Sequence, residues 1–537
     1  MAHLTINKLL AENREEYAIE PAVQEITQLH NKETFHPVHI NQLTEEQKRE
    51  IIPTFMFFTD KVVNGVFQRV KARLVANGAL QTKESFGDIS SPTAASEAIF
   101  LVAQIAALER RKVKSVDIGT AYVNANMTAE GEKNVFARLD NFCADILTLI
   151  QPRYSNYQRP DGTMIVRLDK ALYGCIQSAK RWYLHLRSVL ETYGFIINSY
   201  DGCTFNKYFG DVQCTLIFHV DDILITCVNE SIIDQVINYL IQQFKEVKIQ
   251  EGTIHHFLGM TLNFNSNGEL IISMVEFANQ IVARCNIAGR ATTPATENLF
   301  TINPDSPILN EEMMTKLHSD VAAIRYLGQR TRYDLLPACG HLISRAAKGI
   351  ATTEDYNKFT RLVQYINCTK DIILRLKPQS NLQIKAYIDA SFGIHPDGKG
   401  HTGLCITLGQ GIFFVKCGKQ QIVTKSSTEA ELVGLSDALT PIIWCRQFLE
   451  EQGYKQPPVI IYQDNKSTID LVTRTSSGTG RTRHINVRYF FIRERIENGE
   501  VIVTYLPSSE MIADILTKPV QGSLFEYLRQ GMFNNPK

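Results

Sequence analysis

The sequence predicts a multidomain α/β (α+β) protein, and three observations predict it. The first is the stretch 214–227, CTLIFHVDDILITC, where two runs of strand-forming residues meet at a break held by Asp221 and Asp222. The second is KVKSVDI, residues 112–118, which alternates as a half-buried strand does and carries Asp117 near its end. The third is the stretch from residue 381 onward. Strand-like runs there alternate with helical patterns, and Asp389, Glu431, Asp464 and Asp514 are dispersed among them.

Composition bounds the class. The chain has 537 residues, 44% hydrophobic and 21% charged, the profile of a soluble globular protein of several domains. No apolar run reaches the roughly 18 residues a membrane span needs, and the first residues, MAHLTINKLLAENREEY, lack a signal peptide's apolar core. A cytosolic or nuclear setting is expected. Eleven Cys are scattered without a C-x-x-C pair, which points to reduced, buried thiols. Basic and acidic residues number 56 each. A neutral whole argues against nonspecific nucleic-acid binding, yet a local basic track suffices for a polymerase. Two such clusters stand out: Arg69, Lys71 and Arg73, and Arg474, Arg481, Arg483, His484, Arg488, Arg493 and Arg495.

In chain order, residues 1–50 read as polar helices around 6–15 and 22–29. Residues 53–80 read as a hairpin turning at Asn64-Gly65, with Lys71 and Arg73 on its second strand. An apolar helix follows at 92–110, with Ser91 or Thr93 as its expected cap. Residues 128–166 look like a loop-rich insertion, and 168–193 like a loop followed by a helix that stops at Gly194. Beyond the acidic hairpin come an amphipathic helix at 231–244, a hairpin around Ser266-Asn267-Gly268, a helix at 275–290, a Pro- and Thr-rich linker at 291–312 and a mostly helical region to 380. From Leu382 the strands IKAYID, GLCITLG and GIFFVKCG lead to a helix capped by Ser426, Ser427 or Thr428. IIYQD then ends on Asp464, and VIVTYLP precedes a final helix carrying Asp514.

Two adjacent carboxylates are costly to bury without a cation. An Asp-Asp pair between strands is also an ordinary solvated turn. A second acidic strand end, at Asp117, favours convergence on a pair of hard divalent cations, the arrangement nucleotidyl transfer needs.

Eight motifs carry a family resemblance. VDIGTAYVNANM, LDKALYGCIQSAKRWY and FHVDDILIT resemble, in order, the core motifs of copia-type LTR retrotransposon reverse transcriptases. YIDASFG, KSSTEAEL, QDNKST, RTRHINVRYFFIRE and ADILTKP resemble the ribonuclease H domain that follows in those elements. The resemblance implies a right-hand fingers-palm-thumb polymerase, a connection and a C-terminal ribonuclease H-like domain. The implied boundaries are a lead-in at 1–50, fingers, palm and thumb at 51–290, linker and connection at 291–380, and the ribonuclease H-like domain at 381–537.

It also implies roles. Asp117 and Asp221 hold the polymerase metals with Asp222 in support. Arg73, with Lys71 beside it, grips the incoming triphosphate. Tyr122 is the steric gate against the 2′-hydroxyl, and Gln177 lies beside the templating pair. Lys180 and Arg181 face phosphate, Phe257-Leu258-Gly259 positions the primer end, and Arg325, Arg330 and Arg332 line a basic groove. His219 stands where the family uses Tyr; it is expected to pack the primer and to add a pH dependence. In the nuclease the metal ligands are Asp389, Glu431, Asp464 and Asp514. Glu431 is preferred to Glu429, which points about 200° away on the helix. The mobile His that some related nucleases carry before the last Asp is missing from PSSEMIAD.

The implied activity is RNA-directed DNA synthesis and cleavage of RNA in RNA–DNA hybrids, with two Mg2+ per active site, which Mn2+ can replace. The implied partners are RNA template, DNA primer, RNA–DNA hybrid, dNTPs and other polyprotein products, with no membrane. The expected place is a cytoplasmic virus-like particle or the nucleus. The rival readings are an inactive or co-opted nucleic-acid-binding copy and a structural part of a retroelement particle.

Overall fold

Alternating apolar residues at 204–227 build three consecutive antiparallel strands, and these form the middle of a six-stranded sheet. The strands Thr204–Phe209, Val212–His219 and Asp222–Cys227 pair in sequence, and Lys112–Ile118 joins at Asp222–Cys227. Val247–Gln250 closes one edge and Ile196–Ile197 the other. This computed structural model describes residues 4–5, 16–63, 66–82, 88–129, 132–473 and 483–534. The expected helix at 6–15 and the Asn64-Gly65 turn lie outside them.

The basic hairpin forms as expected, from Ile52–Val63 and Val66–Ala76. It belongs to a second six-stranded sheet with Val135–Leu139, Met164–Leu168 and Phe35–Pro37. Residues 128–166 are therefore not the loop-rich insertion the sequence predicts. They hold two strands and the helix Asn141–Ile150, whose first turn is capped by the Asp140 carboxylate accepting from Cys143 N at 2.9 Å. The apolar helix starts later than expected, at Ser96, because 91–95 run extended. Neither Ser91 nor Thr93 caps it; the Asp201 carboxylate accepts from Ala95 N at 2.9 Å instead.

A third, five-stranded sheet joins the hairpins of Ile254–Phe257, Met260–Phe264 and Leu270–Ser273 to Leu374–Pro378 and Gly409–Gln410. It runs across the boundaries expected at 290 and 380. Three helices, Glu311–Gly328, Leu336–Ala347 and Thr353–Thr369, fill the interval.

The last sheet has the order Phe414–Lys419, His401–Thr407, Lys385–Ser391, Val459–Gln463, Val501–Tyr505. The first three strands are antiparallel and the last two run parallel to Lys385–Ser391. The 25-residue helix Ser427–Glu451 packs against it, capped by Ser426. This is the mixed α/β topology expected of a ribonuclease H-like domain. Asp514 opens the one-turn helix Asp514–Thr517 rather than the final helix, which is Gly522–Phe533.

One continuous apolar core runs from Ala94 to Phe533 through the first, third and last sheets, and a separate core from Ala18 to Cys175 fills the hairpin-bearing part. All eleven Cys are free, and nine are buried. Among the described residues no helix is long and apolar enough to cross a membrane.

Candidate active sites

The acidic hairpin is built from its register. His219 pairs with Asp222, leaving Val220 and Asp221 as a two-residue turn. On its other side Asp222 pairs with Asp117 across neighbouring strands. Like charges directly opposite on one sheet face repel. Val220 adopts φ 59°, a left-handed conformation costly for a β-branched residue, by roughly 1–3 kcal/mol. Two bonds hold the turn in it. Trp182 Nε1 donates to Val220 O at 2.6 Å, and Ile118 N donates to Asp221 O at 3.2 Å.

The electrostatics follow from this crowding. Burial, then Asp221 and Asp117, push the Asp222 carboxyl up to about 6. Burial also raises Asp221, and Asp117 adds to it, while Arg73 and Lys71 pull it back. A small oxygen-preferring dication would relieve the repulsion between these carboxylates, so the donor set fits Mg2+. Lys248 Nζ lies 3.4 Å from Asp117 as its ion-pair partner.

Above the acids stands an aromatic and basic wall. The Arg73 guanidinium lies 4.6 Å from the ring centre of Tyr173, and Tyr173 and Tyr122 rings are 4.8 Å apart. Tyr122 is half-buried and close enough to Asp221 to feel its charge. Lys71 shares the charge environment of Arg73, Glu25 and Asp117, and burial lowers its pKa. Gln177 is buried and its Oε1 accepts from Gln81 Nε2 at 3.2 Å, while its own Nε2 is buried without a partner. His219 is half-buried with Nδ1 unpartnered; burial and then Arg330 lower its pKa, and Asp221 opposes them. The turn at Leu258-Gly259 is tied down by Tyr326 Oη, which donates to Leu258 O at 2.9 Å.

Several expected contacts are not available. Lys180 is bound to Asp88 at 2.7 Å and Arg181 is paired with Glu132, so neither faces open space as a free cation. Arg332 lines no groove: it is 1% exposed and grips Asp334 with two bonds, of 3.0 and 2.8 Å. Arg325 and Arg330 do line a cavity, together with Phe300 and His395. In the C-terminal basic cluster, Arg474 and Arg481 lie outside the described residues, as do the side chains of Arg483 and His484. Arg488 is paired with Asp437, Arg493 with Glu497 and Arg495 with Glu500.

The second site lies on the last sheet. One carboxylate oxygen from each of Asp389, Asp464 and Asp514 falls within 4.8 Å of the others. Asp389 is on the central strand, Asp464 just past its parallel neighbour and Asp514 at the start of the one-turn helix. Gly403, directly opposite Asp389, lets that helix lie flat on the sheet. A Cβ there would come within 2.9 Å of Ala513 O and 2.8 Å of Thr517.

Glu431 is buried beside the three, accepting from Gln463 Nε2 at 3.2 Å. Glu429 instead caps its own helix, accepting from Lys425 N at 2.7 Å. Burial, then Asp389 and Asp464, raise Glu431, and burial with Asp389 pushes Asp514 up to about 7. Asp514 Oδ1 is buried with no partner. Three clustered all-oxygen donors with an orphaned oxygen fit a hard divalent cation. Ser508 Oγ donates to Asp464 at 2.7 Å, and Thr517 Oγ1 donates to Asp389.

Tyr173, Trp182, Ser508, Thr517 and Lys518 escaped the sequence reading as site neighbours. Tyr173 and Trp182 lie inside the motif LDKALYGCIQSAKRWY, which gives them no role of their own. Lys518 lay inside ADILTKP, four residues past Asp514.

Residues 39–297 match the family model of reverse transcriptase (RNA-dependent DNA polymerase). The chain is 29% identical over 475 residues to the retrovirus-related Pol polyprotein from transposon RE1 of Arabidopsis thaliana, covering 86% of this chain and 30% of the relative. It is 28% identical over 469 residues to that from transposon RE2 of the same plant, with the same coverage. It is 24% identical over 553 aligned positions to the transposon Ty1-DR6 Gag-Pol polyprotein of Saccharomyces cerevisiae, covering 98% and 29%. The chain thus spans under a third of the length of these curated relatives. Among solved structures, the foamy viral protease-reverse transcriptase in complex with dsDNA aligns at 13% identity, covering 91% of this chain and 83% of that one, with a TM-score of 0.48.

Proposed function

We propose, from the premise that this chain is a copia-type retrotransposon Pol protein with a reverse transcriptase at residues 39–297, that it copies RNA into DNA and cleaves the RNA strand of the resulting hybrid. The observation that carries the reading is the placement of Asp117, Asp222 and the Asp221 turn on adjoining strand ends beneath Arg73 and Tyr122.

Asp117 and Asp221 would hold the divalent ions, with Asp222 closing the cluster. Mg2+ bound there supplies charge neutralisation for the triphosphate and activates the primer hydroxyl. The chain's own residues do the positioning. Arg73, its planar fork steadied on Tyr173, meets triphosphate oxygens from above, with Lys71 beside it. Tyr122 lies below the sugar and leaves no room for a 2′-hydroxyl. Gln177 supports the nucleobase from the loop before its helix, where its side chain is held by Gln81. His219 packs the primer end, and the Phe257-Leu258-Gly259 turn positions it.

In the second site Asp389, Glu431, Asp464 and Asp514 would hold the ions that activate water and steady the leaving oxygen during hybrid cleavage. The partners of such an enzyme are an RNA template, a DNA primer and dNTPs, within a retroelement particle. Primer extension on an RNA template with Mg2+ tests the reading. DNA product of template length, abolished by EDTA and restored by Mg2+, is expected. Failure to extend any primer with either Mg2+ or Mn2+ would leave an inactive copy.

A further inference from the structure

Lys518 is the cation of the nuclease cluster. Its Nζ lies 3.0 Å from Asp514 and 3.9 Å from Asp389. Among the described residues no other Lys or Arg comes within ion-pair distance of Asp389, Glu431, Asp464 or Asp514. Its main chain is fixed. Lys518 N donates to Asp514 O at 3.1 Å. The preceding Thr517 donates its hydroxyl to Asp389, and its carbonyl accepts from Ser391 Oγ at 3.1 Å. The side chain is different: it is 41% exposed on a four-carbon stem. A tethered Cα and a half-free arm let the ammonium sit on the acids or swing outward without moving the backbone.

One ammonium cannot balance this cluster. Asp514 Oδ1 remains buried without a partner, and Asp389, Glu431 and Asp514 all resist ionisation in these surroundings. A divalent ion brings two charges to the same oxygens at closer range than an ammonium reaches. With such an ion held by the acids, Lys518 Nζ would meet like charge where it now meets carboxylate, and repulsion would move it away. A phosphate of a bound RNA strand would offer it a new anion.

We propose that Lys518 is a positioning residue of this site: it is the counter-ion that holds the acids together without metal, and metal binding releases it outward to a phosphate of the RNA strand. The proposal rests on the hybrid-cleavage reading above. It also gives a role to the position that follows Asp514 in a nuclease lacking the mobile His before it.

The test uses the full chain stripped of metal, with Lys518→Gln and Lys518→Arg, and Asp464→Asn as the control that identifies this site. Three quantities are measured: the melting temperature in EDTA, the affinity for Mn2+ alone by calorimetry, and kcat and KM for a short RNA–DNA hybrid. Lys518→Gln is expected to melt lower in EDTA and to bind Mn2+ about three- to tenfold tighter, as loss of one adjacent like charge predicts. It is also expected to raise KM several-fold, with a smaller change in kcat. Lys518→Arg should return melting and Mn2+ affinity towards the parent. An unchanged melting temperature and Mn2+ affinity in Lys518→Gln would overturn the counter-ion role, and an unchanged KM would overturn the release to phosphate. A parent that cleaves no hybrid while the melting and Mn2+ shifts persist would sink the reaction reading and leave the counter-ion role standing.

Discussion

At the scale of single residues, Tyr122 gives the sharpest consequence. Its ring is wedged beside Tyr173 and next to Asp221, so its position is set by packing on one side and by the acids on the other. Tyr122→Ala opens that floor. Discrimination between deoxy- and ribonucleotides should fall by at least about tenfold, with some loss of rate, because a steric wall rather than a hydrogen bond supplies it. An unchanged ratio of the two incorporation efficiencies would remove the gate assignment.

His219 was expected to bring a pH effect between about 7.5 and 6. The structure gives the expected direction from the protein's own groups. Burial and Arg330 hold the imidazole below its ordinary value, so the neutral form already prevails above roughly pH 6.5. His219→Tyr should stay active and track the parent from pH 7.5 to 6.5, diverging only below that, where the parent loses activity sooner. Divergence already at pH 7.5 would mean that His219 is charged in the working site. The acids themselves were legible because motifs mark them. Tyr173 and Trp182 were not, because an aromatic residue at helical or loop spacing reads as core until its neighbours across the chain are known.

At the scale of elements, the strands and most helices follow from alternation and capping, and the errors have physical causes. The 128–166 region read as loop because its strands are five residues each and its helix ten. Such short runs fall under the noise of any periodicity. The apolar helix lost its expected cap to Asp201, a residue more than a hundred positions away in the chain.

Arg332 shows the same limit. A cluster of Arg325, Arg330 and Arg332 looks like a basic face, yet Arg332 turns inward. It is held by both oxygens of Asp334, by Thr369 O at 2.8 Å and by Thr369 Oγ1 at 2.9 Å, with Tyr365 Oη donating to Asp334 at 2.6 Å. Removing one partner of such a buried pair leaves the other uncompensated. Arg332→Met should therefore destabilise the fold by about 3–5 kcal/mol. Urea unfolding measures this directly, and a change below about 1 kcal/mol would return Arg332 to the surface.

At the scale of the whole molecule, the two acidic regions share one core and a polar contact. Arg111 is buried at the start of the acidic strand and donates to Gln213 at 2.9 Å, to Thr215 at 3.2 Å and to Tyr454 Oη at 3.1 Å. Ser199 donates to Glu451 at 2.8 Å, and Trp444 Nε1 to Tyr200 O at 3.1 Å, so the end of the long helix 427–451 rests on the loop beside the sheet that carries Asp117 and Asp222. None of this was legible, since each contact joins residues more than one hundred positions apart and leaves no local pattern. The overall α/β class and the division into two acidic regions were legible, because each rests on alternation and on strand-end acids that sequence displays directly. The third sheet, which binds Leu270–Ser273 to Leu374–Pro378, was hidden for the same reason as the contacts.

The central claim is that two separate acidic sites perform two separate reactions on one chain. The measurement that tests it is a paired assay of primer extension and hybrid cleavage on the parent, Asp221→Asn and Asp464→Asn, with melting temperatures recorded for all three. Asp221→Asn should abolish extension and leave cleavage near the parent level, and Asp464→Asn should do the reverse. Loss of both activities in either variant, with its melting temperature unchanged, would contradict the two-site account.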